Sequence, residues 1–288
     1  MKKGSSRRES GAPAKGSFKG NPKNFRPSTP HSVARSTAHT KPLNDPLLKD
    51  HRIVIGQHAI KEVLTVRPKA IKGVWLKQGW ESSADLRDLQ AAFQKTGVKI
   101  DVKPETILDR FGGHQGAAVF LKEEPELNFA ALSEKTQSAL VLLDGIEDPH
   151  NLGAILRTSW LMGVDGILIP QDRSVGLTPS VHKVACGGAE HVPVEVCVNF
   201  ANPIEDLKKQ GFWVFGLSHK AKKTIFDFKF PEKIVWAVGA EDKGLRVTTE
   251  RLCDELVSIP QLSASASYNA SVATAIALTE TFRQHRQS

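Results

Sequence analysis

Apolar positions fall into two stretches of regular patterning, the first starting near His51. Ile53-Val54-Ile55 is a short apolar run followed by Gly56, and Ala59, Ile60, Val63 and Leu64 then recur at helical spacing as far as Pro68. Ile71 to Leu76 reads as a strand. Leu86, Leu89 and Phe93 mark a helix, with Ser82 or Ser83 as its cap and Gly97 as its close. Val98 to Val102 alternates as a strand does, Pro104 opens a short helix through Ile107 and Leu108, and Ala117 to Leu121 is a last strand. Strands alternating with helices predict a small α/β domain over residues 51–122.

The periodicity lapses between Lys122 and Gln137, a charged stretch containing Pro125, which predicts a partly helical linker over 123–137. A larger unit follows over 138–288. Ala139 to Leu143 is a buried strand, and Ala154, Ile155, Leu156, Leu161 and Met162 lie on a helix ending at Gly163. Gly166 to Ile169 is the next strand. Further strands are expected near Val192–Val198, Phe212–Leu217, Ile234–Val238 and Leu256–Ile259, with a final helix from about Asn269 to Arg283. Strands that are apolar throughout and alternate with helices imply a mostly parallel sheet covered on both faces.

Charge changes the picture at the amino terminus. The chain has 288 residues and a formal net charge of +8, and residues 1–50 hold eleven Lys/Arg against three acids. The rest carries 28 of each sign, so the whole excess sits in a segment rich in Gly, Ser, Pro and Thr. Such a segment buries too little apolar surface to offset its ordering entropy. It is expected to be a disordered basic arm that neutralises phosphates, although a merely solubilising tail has the same composition. No apolar run approaches the roughly 18 residues of a membrane helix. The first thirty residues lack the apolar stretch of a secretory signal, and Cys186, Cys197 and Cys253 form no Cys-x-x-Cys pair. A reduced, cytoplasmic protein without a cysteine-based zinc site is therefore expected.

The usual glycine-rich nucleotide fingerprints are missing. Three loops in the second unit, each directly after an apolar strand, are the candidates for chemistry. The first runs from Asp144 to Gly153 into a helix bearing Arg157, with Asp148 or Asn151 as a possible cap. A helix start with an arginine nearby suits a phosphate, but an ordinary strand–turn–helix corner reads equally well. The second, Gly239 to Arg246, has two glycines that let backbone amides approach a ligand and places Glu241 at the carboxyl end of a strand. A turn with solvated charges has the same composition. The third, Ile259 to Ala273, is a small polar segment leading to an alanine-rich helix with Asn269 as its cap, and a flexible loop before a packing helix describes it as well.

In this order the three loops resemble the three motifs of the SpoU/TrmH family of RNA ribose 2′-O-methyltransferases, within the SPOUT superfamily. The first motif is matched at Asn151, Gly153 and Arg157, the second at Gly239-x-Glu241-x-x-Gly244, and the third at Ile259-Pro260 and Asn269-x-Ser271-Val272-Ala273. Gly56-x-His58-Ala59 and Gly113-x-Gln115-Gly116 are similar to the ribosomal-protein-like substrate-binding domain that precedes some members. The layout is most similar to the bacterial subgroup that methylates a guanosine ribose of large-subunit rRNA.

The resemblance implies an α/β fold with a trefoil knot in the C-terminal domain, a homodimer, and S-adenosylmethionine as cofactor. Gly239, Ile259 and Tyr268 would hold the cofactor, with no metal. Arg157, Asn151, Glu241 and Asn269 would be the catalytic set, with Glu241 fixing Arg157 or a loop amide. RNA, rRNA ahead of tRNA, would be the substrate, since only RNA offers the 2′-hydroxyl. Departures from the family pattern lie at Asp242, Ser263, Ala266 and Tyr268. They leave a second expectation, a fold-retaining RNA-binding or ribosome-assembly factor that does not methylate.

Overall fold

Strand β1 (Arg52–Ile55) is followed by α1 (Gln57–Val66), β2 (Ile71–Lys77), α2 (Ala84–Thr96), β3 (Ile100–Lys103), the short α3 (Glu105–Leu108) and β4 (Ala117–Leu121). The computed structural model describes residues 45–263 and 266–287, so the basic arm as far as residue 44 lies outside the described residues. The four strands form one sheet in the order β1-β4-β2-β3, antiparallel except for the parallel β2–β3 pair. Its inward residues, among them Val54, Val74, Leu76 and Val119, pack on Ile60 and Val63 of α1 and on Leu89 and Phe93 of α2.

Two local expectations shift. Ser83 is the residue before α2, but its side chain makes no capping bond, and Pro104 sits just before α3 and not inside it. Residues 45–48, expected within the arm, pack on the small sheet instead. Asp45 pairs with Lys103 at 3.1 Å, and Leu47 lies so close over Gly73 that a Cβ there would approach it to 2.6 Å.

The second sheet is built from α4 (Phe129–Glu134), β5 (Ser138–Asp144), α5 (Pro149–Leu161), β6 (Gly166–Pro170), α6 (Pro179–Ala185), α7 (Gly188–His191), β7 (Val194–Cys197), α8 (Ala201–Lys209), β8 (Trp213–Leu217), β9 (Lys233–Gly239), α9 (Val247–Glu250), β10 (Glu255–Val257) and α10 (Ala270–Gln287). All six strands are parallel, in the order β10-β8-β9-β5-β6-β7. One face packs Val141, Leu143 and Trp236 on Ile155 of α5 and on Ala277 and Leu278 of α10. The other packs Leu140, Leu142 and Val235 on Ile204 and Leu207 of α8. Fully burying an aliphatic or aromatic side chain of this kind contributes roughly 1.5–3 kcal/mol, so both faces supply the core. The Trp236 indole N–H also donates to the Thr281 hydroxyl at 2.9 Å, which keeps its polar atom satisfied inside that core.

Helices α6, α7 and α8 were not expected from the sequence. Pro203 interrupts the apolar spacing of α8, yet in the first turn a missing N–H costs nothing. Thr178-Pro179 is an ordinary start for α6, the Thr178 hydroxyl accepting from the Val181 amide at 3.3 Å. The last strand is shorter than expected: it ends at Val257, leaving Ile259 in the loop beyond.

The two sheets meet through α6 and α7, which pack on β1 and α1. Arg52 of β1 donates both terminal nitrogens to the buried Glu190 carboxylate of α7, each at 2.6 Å, and Arg67 Nε approaches the same carboxylate at 3.5 Å. After edge strand β10 the chain returns across the carboxyl ends of β8 and β9 and enters α10, which packs on β9 and α5. No helix among the described residues is long and apolar enough to cross a membrane.

Candidate active site

The carboxyl ends of β5 and β9 lie side by side, Asp144 opposite Gly239 in the ladder, so the first and second loops leave the sheet at one point. Open parallel sheets bind ligands at this end. The third loop arrives there from β10. A cavity of about 300 Å³ lies between the second and third loops, at the low end of the range for small-molecule sites.

Gly239, Glu241, Ile259 and Tyr268 all line this cavity, together with Leu217 and Val238 at its base. Glycine at 239 is required by close approach: a Cβ there would run into the Gly244 carbonyl carbon and the Leu245 amide, where the loop folds back with the Gly244 amide donating to the Ala240 carbonyl at 2.8 Å. Ile259 packs partly on the core, and the Tyr268 hydroxyl donates to the Pro260 carbonyl at 3.2 Å, closing the third loop on itself. Gln261 braces the same loop, its amide donating to the Ser263 and Ala266 carbonyls at 2.9 and 2.8 Å. The only non-glycine residues at positive φ among those described are Gln115, Arg173 and Cys186, so serine at 263 imposes no backbone strain.

Asn151, Glu241 and Asn269 form one hydrogen-bonded cluster across the three loops. The Asn151 amide donates to Glu241 Oε1 at 2.9 Å, and the Asn269 amide donates to Asn151 Oδ1 at 2.9 Å and to Glu241 Oε1 at 2.5 Å. Asn269 Oδ1 in turn accepts from the Ser271 and Val272 amides, the first free donors of α10, as a capping side chain does. Asn151, by contrast, lies within the first turn of α5. That helix starts at Pro149 and is capped by Asp148, whose carboxylate accepts from the His150 amide at 2.9 Å.

Arg157 stands apart from this cluster. Because α5 begins at Pro149, Arg157 lies two turns into it, exposed, with Nη1 3.6 Å from Cys186 Sγ. Of the two partners expected for Glu241, Arg157 or a loop amide, Arg157 is not the one found: the side-chain amides of Asn151 and Asn269 converge on Glu241 instead. A further pair went unnoticed in the sequence. Asp144, fully buried, accepts from the Arg246 amide at 2.9 Å and from Arg246 Nε at 2.5 Å, tying the second loop to the end of β5. The only sequence signal was an acid and a base at the boundaries of two of the loops. Burial pushes the Cys197 and Cys253 thiols up, to about 11 and about 12, so neither is a nucleophile near neutrality. Among the described residues no group of three or more His, Cys, Asp or Glu is placed to hold a metal.

Residues 138–279 match the model of the SpoU rRNA methylase family, and residues 53–127 match that of the RNA 2′-O ribose methyltransferase substrate-binding domain. The 23S rRNA (guanosine-2′-O-)-methyltransferase RlmB of Shewanella oneidensis is 39% identical over 246 residues, covering 83% of this chain and all of that protein. The chain belongs to the SpoU rRNA methylase family. The RlmB of Pseudomonas putida is 36% identical over 81% of this chain and 96% of its own length. The SpoU methyltransferase AviRb from Streptomyces viridochromogenes, solved in complex with AdoMet, has the same fold, with a TM-score of 0.73 and 20% identity over 83% of this chain and 92% of that one. In this SpoU member the Asn151–Glu241–Asn269 cluster and the Asp144–Arg246 pair tie the three loops to one another.

Proposed function

We propose that this protein methylates the ribose 2′-hydroxyl of a guanosine in large-subunit rRNA, using S-adenosylmethionine, and that the division of labour follows the two sheets: residues 51–122 bind RNA and residues 138–288 carry the reaction. The observation that carries the reading is a cavity walled by the second and third motif loops, with the first loop tied to both through Asn151, in a chain whose relatives are 23S rRNA guanosine 2′-O-methyltransferases.

The cavity suits the cofactor on its own chemistry. Its walls are apolar at Leu217, Val238 and Ile259, its loops carry small residues where a ligand must come close, and the main-chain amides of Ile259 and Tyr268 have no partner among the described residues. Unpaired amides beside an apolar slot can donate to a purine edge while the walls cover its faces. When bound, S-adenosylmethionine supplies an activated methyl group on a sulfonium. Gly239, Ile259 and Tyr268 hold it, and the Tyr268 ring offers a surface for stacking.

The chain's remaining task is to align the hydroxyl and ease its proton loss. A guanidinium is a cation and not a base, so the role of Arg157 is to hold the neighbouring phosphate and the charge that develops on the 2′-oxygen. Its present contact, a cysteine sulfur, is a weak acceptor that a phosphate displaces readily. Asn151, Glu241 and Asn269 keep the loops in register, so that the cavity and the Arg157 face stay aligned.

A homodimer is part of the same proposal. Ala154, Thr158, Val272, Ala275 and Ile276 form an apolar groove between α5 and α10, with Phe226 61% exposed beside it. A second copy covering that groove would add residues close to the Arg157 helix. The return of the chain from β10 into α10 supports the knotted path of the SPOUT fold, and rRNA as substrate supports a cytoplasmic location. Incubation with S-adenosylmethionine labelled in its methyl group and a 23S rRNA transcript tests the reading. Label is expected on the 2′-oxygen of a guanosine. Cofactor and RNA binding without transfer would favour the non-methylating assembly factor.

A further inference from the structure

A polar cavity of about 500 Å³ lies where the small sheet meets α6, and the proposed reaction makes no use of it. It brings together two segments far apart in sequence: the start of α1 after Gly56 and the 112–116 loop before β4. The Gln57 amide donates to Gln115 Oε1 at 2.9 Å. The loop is a built structure. His114 is buried, its Nδ1 accepting from the Gly116 amide at 2.9 Å and its Nε2 lying 3.2 Å from Asp109 Oδ1. Gly112, Gly113, Gln115 and Gly116 all have left-handed φ values, between 51° and 88°.

Lys183 of α6 reaches across this loop from the methyltransferase side. A Cβ at Gly56 would lie 3.1 Å from Lys183 Cγ, and a Cβ at Gly113 would overlap Lys183 Nζ. The two glycines thus leave the channel in which the lysine stem lies. At its end the ammonium makes no hydrogen bond or ion pair among the described residues. The amides of Gly113, His114 and Gln115 likewise have no partner there. The two carboxylates in the cavity are already engaged, Glu105 with Lys77 at 3.3 Å and Asp109 with His114. Among the groups left unpaired are four donors, one ammonium and three main-chain amides on a left-handed loop, beside the Ser83 hydroxyl and the Gln57 side chain. Concave amide clusters of this kind bind anions.

We propose that this cavity binds a phosphodiester of the RNA substrate, held jointly by Lys183 and the Gly113–Gln115 amides. The inference rests on the RNA-methylating function proposed above. One phosphate group would then link the two sheets. Lys183 is also three residues from Cys186, the contact of Arg157, so a strand anchored here runs beside the helix that carries Arg157.

The test uses the full chain and a 23S rRNA transcript, with affinity measured across a range of salt concentrations. Lys183→Met should weaken binding about 5- to 20-fold and lower the slope of log affinity against log salt by about 0.7–0.9, the loss of a single phosphate contact. Gly113→Ala, which displaces the ammonium, should lower the slope likewise. Both variants should bind S-adenosylhomocysteine as the parent does, because the cofactor cavity lies at the other sheet. An unchanged slope and affinity in Lys183→Met would overturn the proposal, as would weakened binding with an unchanged slope and altered base preference, which would mean base recognition. Parent protein that binds the transcript with its full slope but transfers no methyl group would count against the methyltransferase reading and not against this site.

Discussion

The Asn269 amide donates to the Asn151 carbonyl oxygen at 2.9 Å across 118 positions of sequence, and both amides share Glu241 Oε1. The start of α5, the loop after β9 and the cap of α10 are therefore one unit. Its members are neutral amides around a single carboxylate, an arrangement that an added negative charge should break. Asn151→Asp places a second carboxylate, on a nearly buried side chain, against the exposed Glu241. Solvent screens part of the repulsion, so the change should destabilise the fold by about 1–2 kcal/mol. Adding Glu241→Gln restores a donor to face the new carboxylate and should recover about half of that loss. Thermal unfolding of the single and double variants reads this directly, since each kcal/mol shifts the midpoint by about 2–4 °C in a chain of this size.

Arg157→Ala should abolish methyl transfer while leaving stability within about 0.5 kcal/mol, because an exposed side chain with a sulfur as its one contact contributes little to folding. Arg157→Lys should also lose most activity, since a point charge does not reproduce a two-pronged guanidinium contact. Near-normal turnover in the lysine variant would show that the fork geometry is irrelevant.

The Asp144–Arg246 pair predicts a stability effect remote from the reaction. Arg246→Ala leaves a fully buried carboxylate with only the main-chain amide as partner. Breaking a wholly buried pair costs about 3–5 kcal/mol; Arg246 is 43% exposed, so about 2 kcal/mol is expected here. Denaturant unfolding with an unchanged slope and a lower midpoint would bear this out.

His182 predicts a pH dependence. Burial, and secondarily the Arg52 charge, lowers its pKa from 6.5 to about 3. The ring is thus neutral in the folded chain, and its 4.0 Å approach to Glu190 is not an ion pair. The unfolded chain takes up a proton below about pH 6.5 and the folded one does not, so this contribution is complete above pH 6.5 and is lost as pH falls toward 3. The variant His182→Leu should lack it. Between pH 6 and 4 the parent should lose stability faster than the variant, by up to about 1.4 kcal/mol per pH unit. Parallel curves would contradict a neutral buried His182.

Much of this site was legible because its parts are local. The first two motif loops follow long apolar strands, and Glu241 could be placed at the carboxyl end of one of them by pattern, whereas Ile259 and Tyr268 were picked out only by the resemblance of the third loop to a family motif. What pattern does not carry is pairing across distance. Glu241 was expected to fix Arg157 or a loop amide, and which partners it takes, two side-chain amides 90 and 28 positions away, could not be read from the chain; nor could the meeting of Asp144 with Arg246 over 102 positions. Helix α8 was hidden because Pro203 reads as a breaker, although in a first turn it breaks nothing. The Lys183 channel is a tertiary product of two loop glycines of the small domain and a lysine on helix α6, and no window of sequence contains all three.

Ribose methylation of large-subunit rRNA can be read in cells by mapping 2′-O-methyl groups in rRNA with and without this protein, through the resistance of methylated positions to alkaline cleavage. One guanosine of the large-subunit RNA should lose its protection when the protein is absent and regain it when the parent chain, but not Arg157→Ala, is supplied. An identical methylation map in both cells would contradict the account.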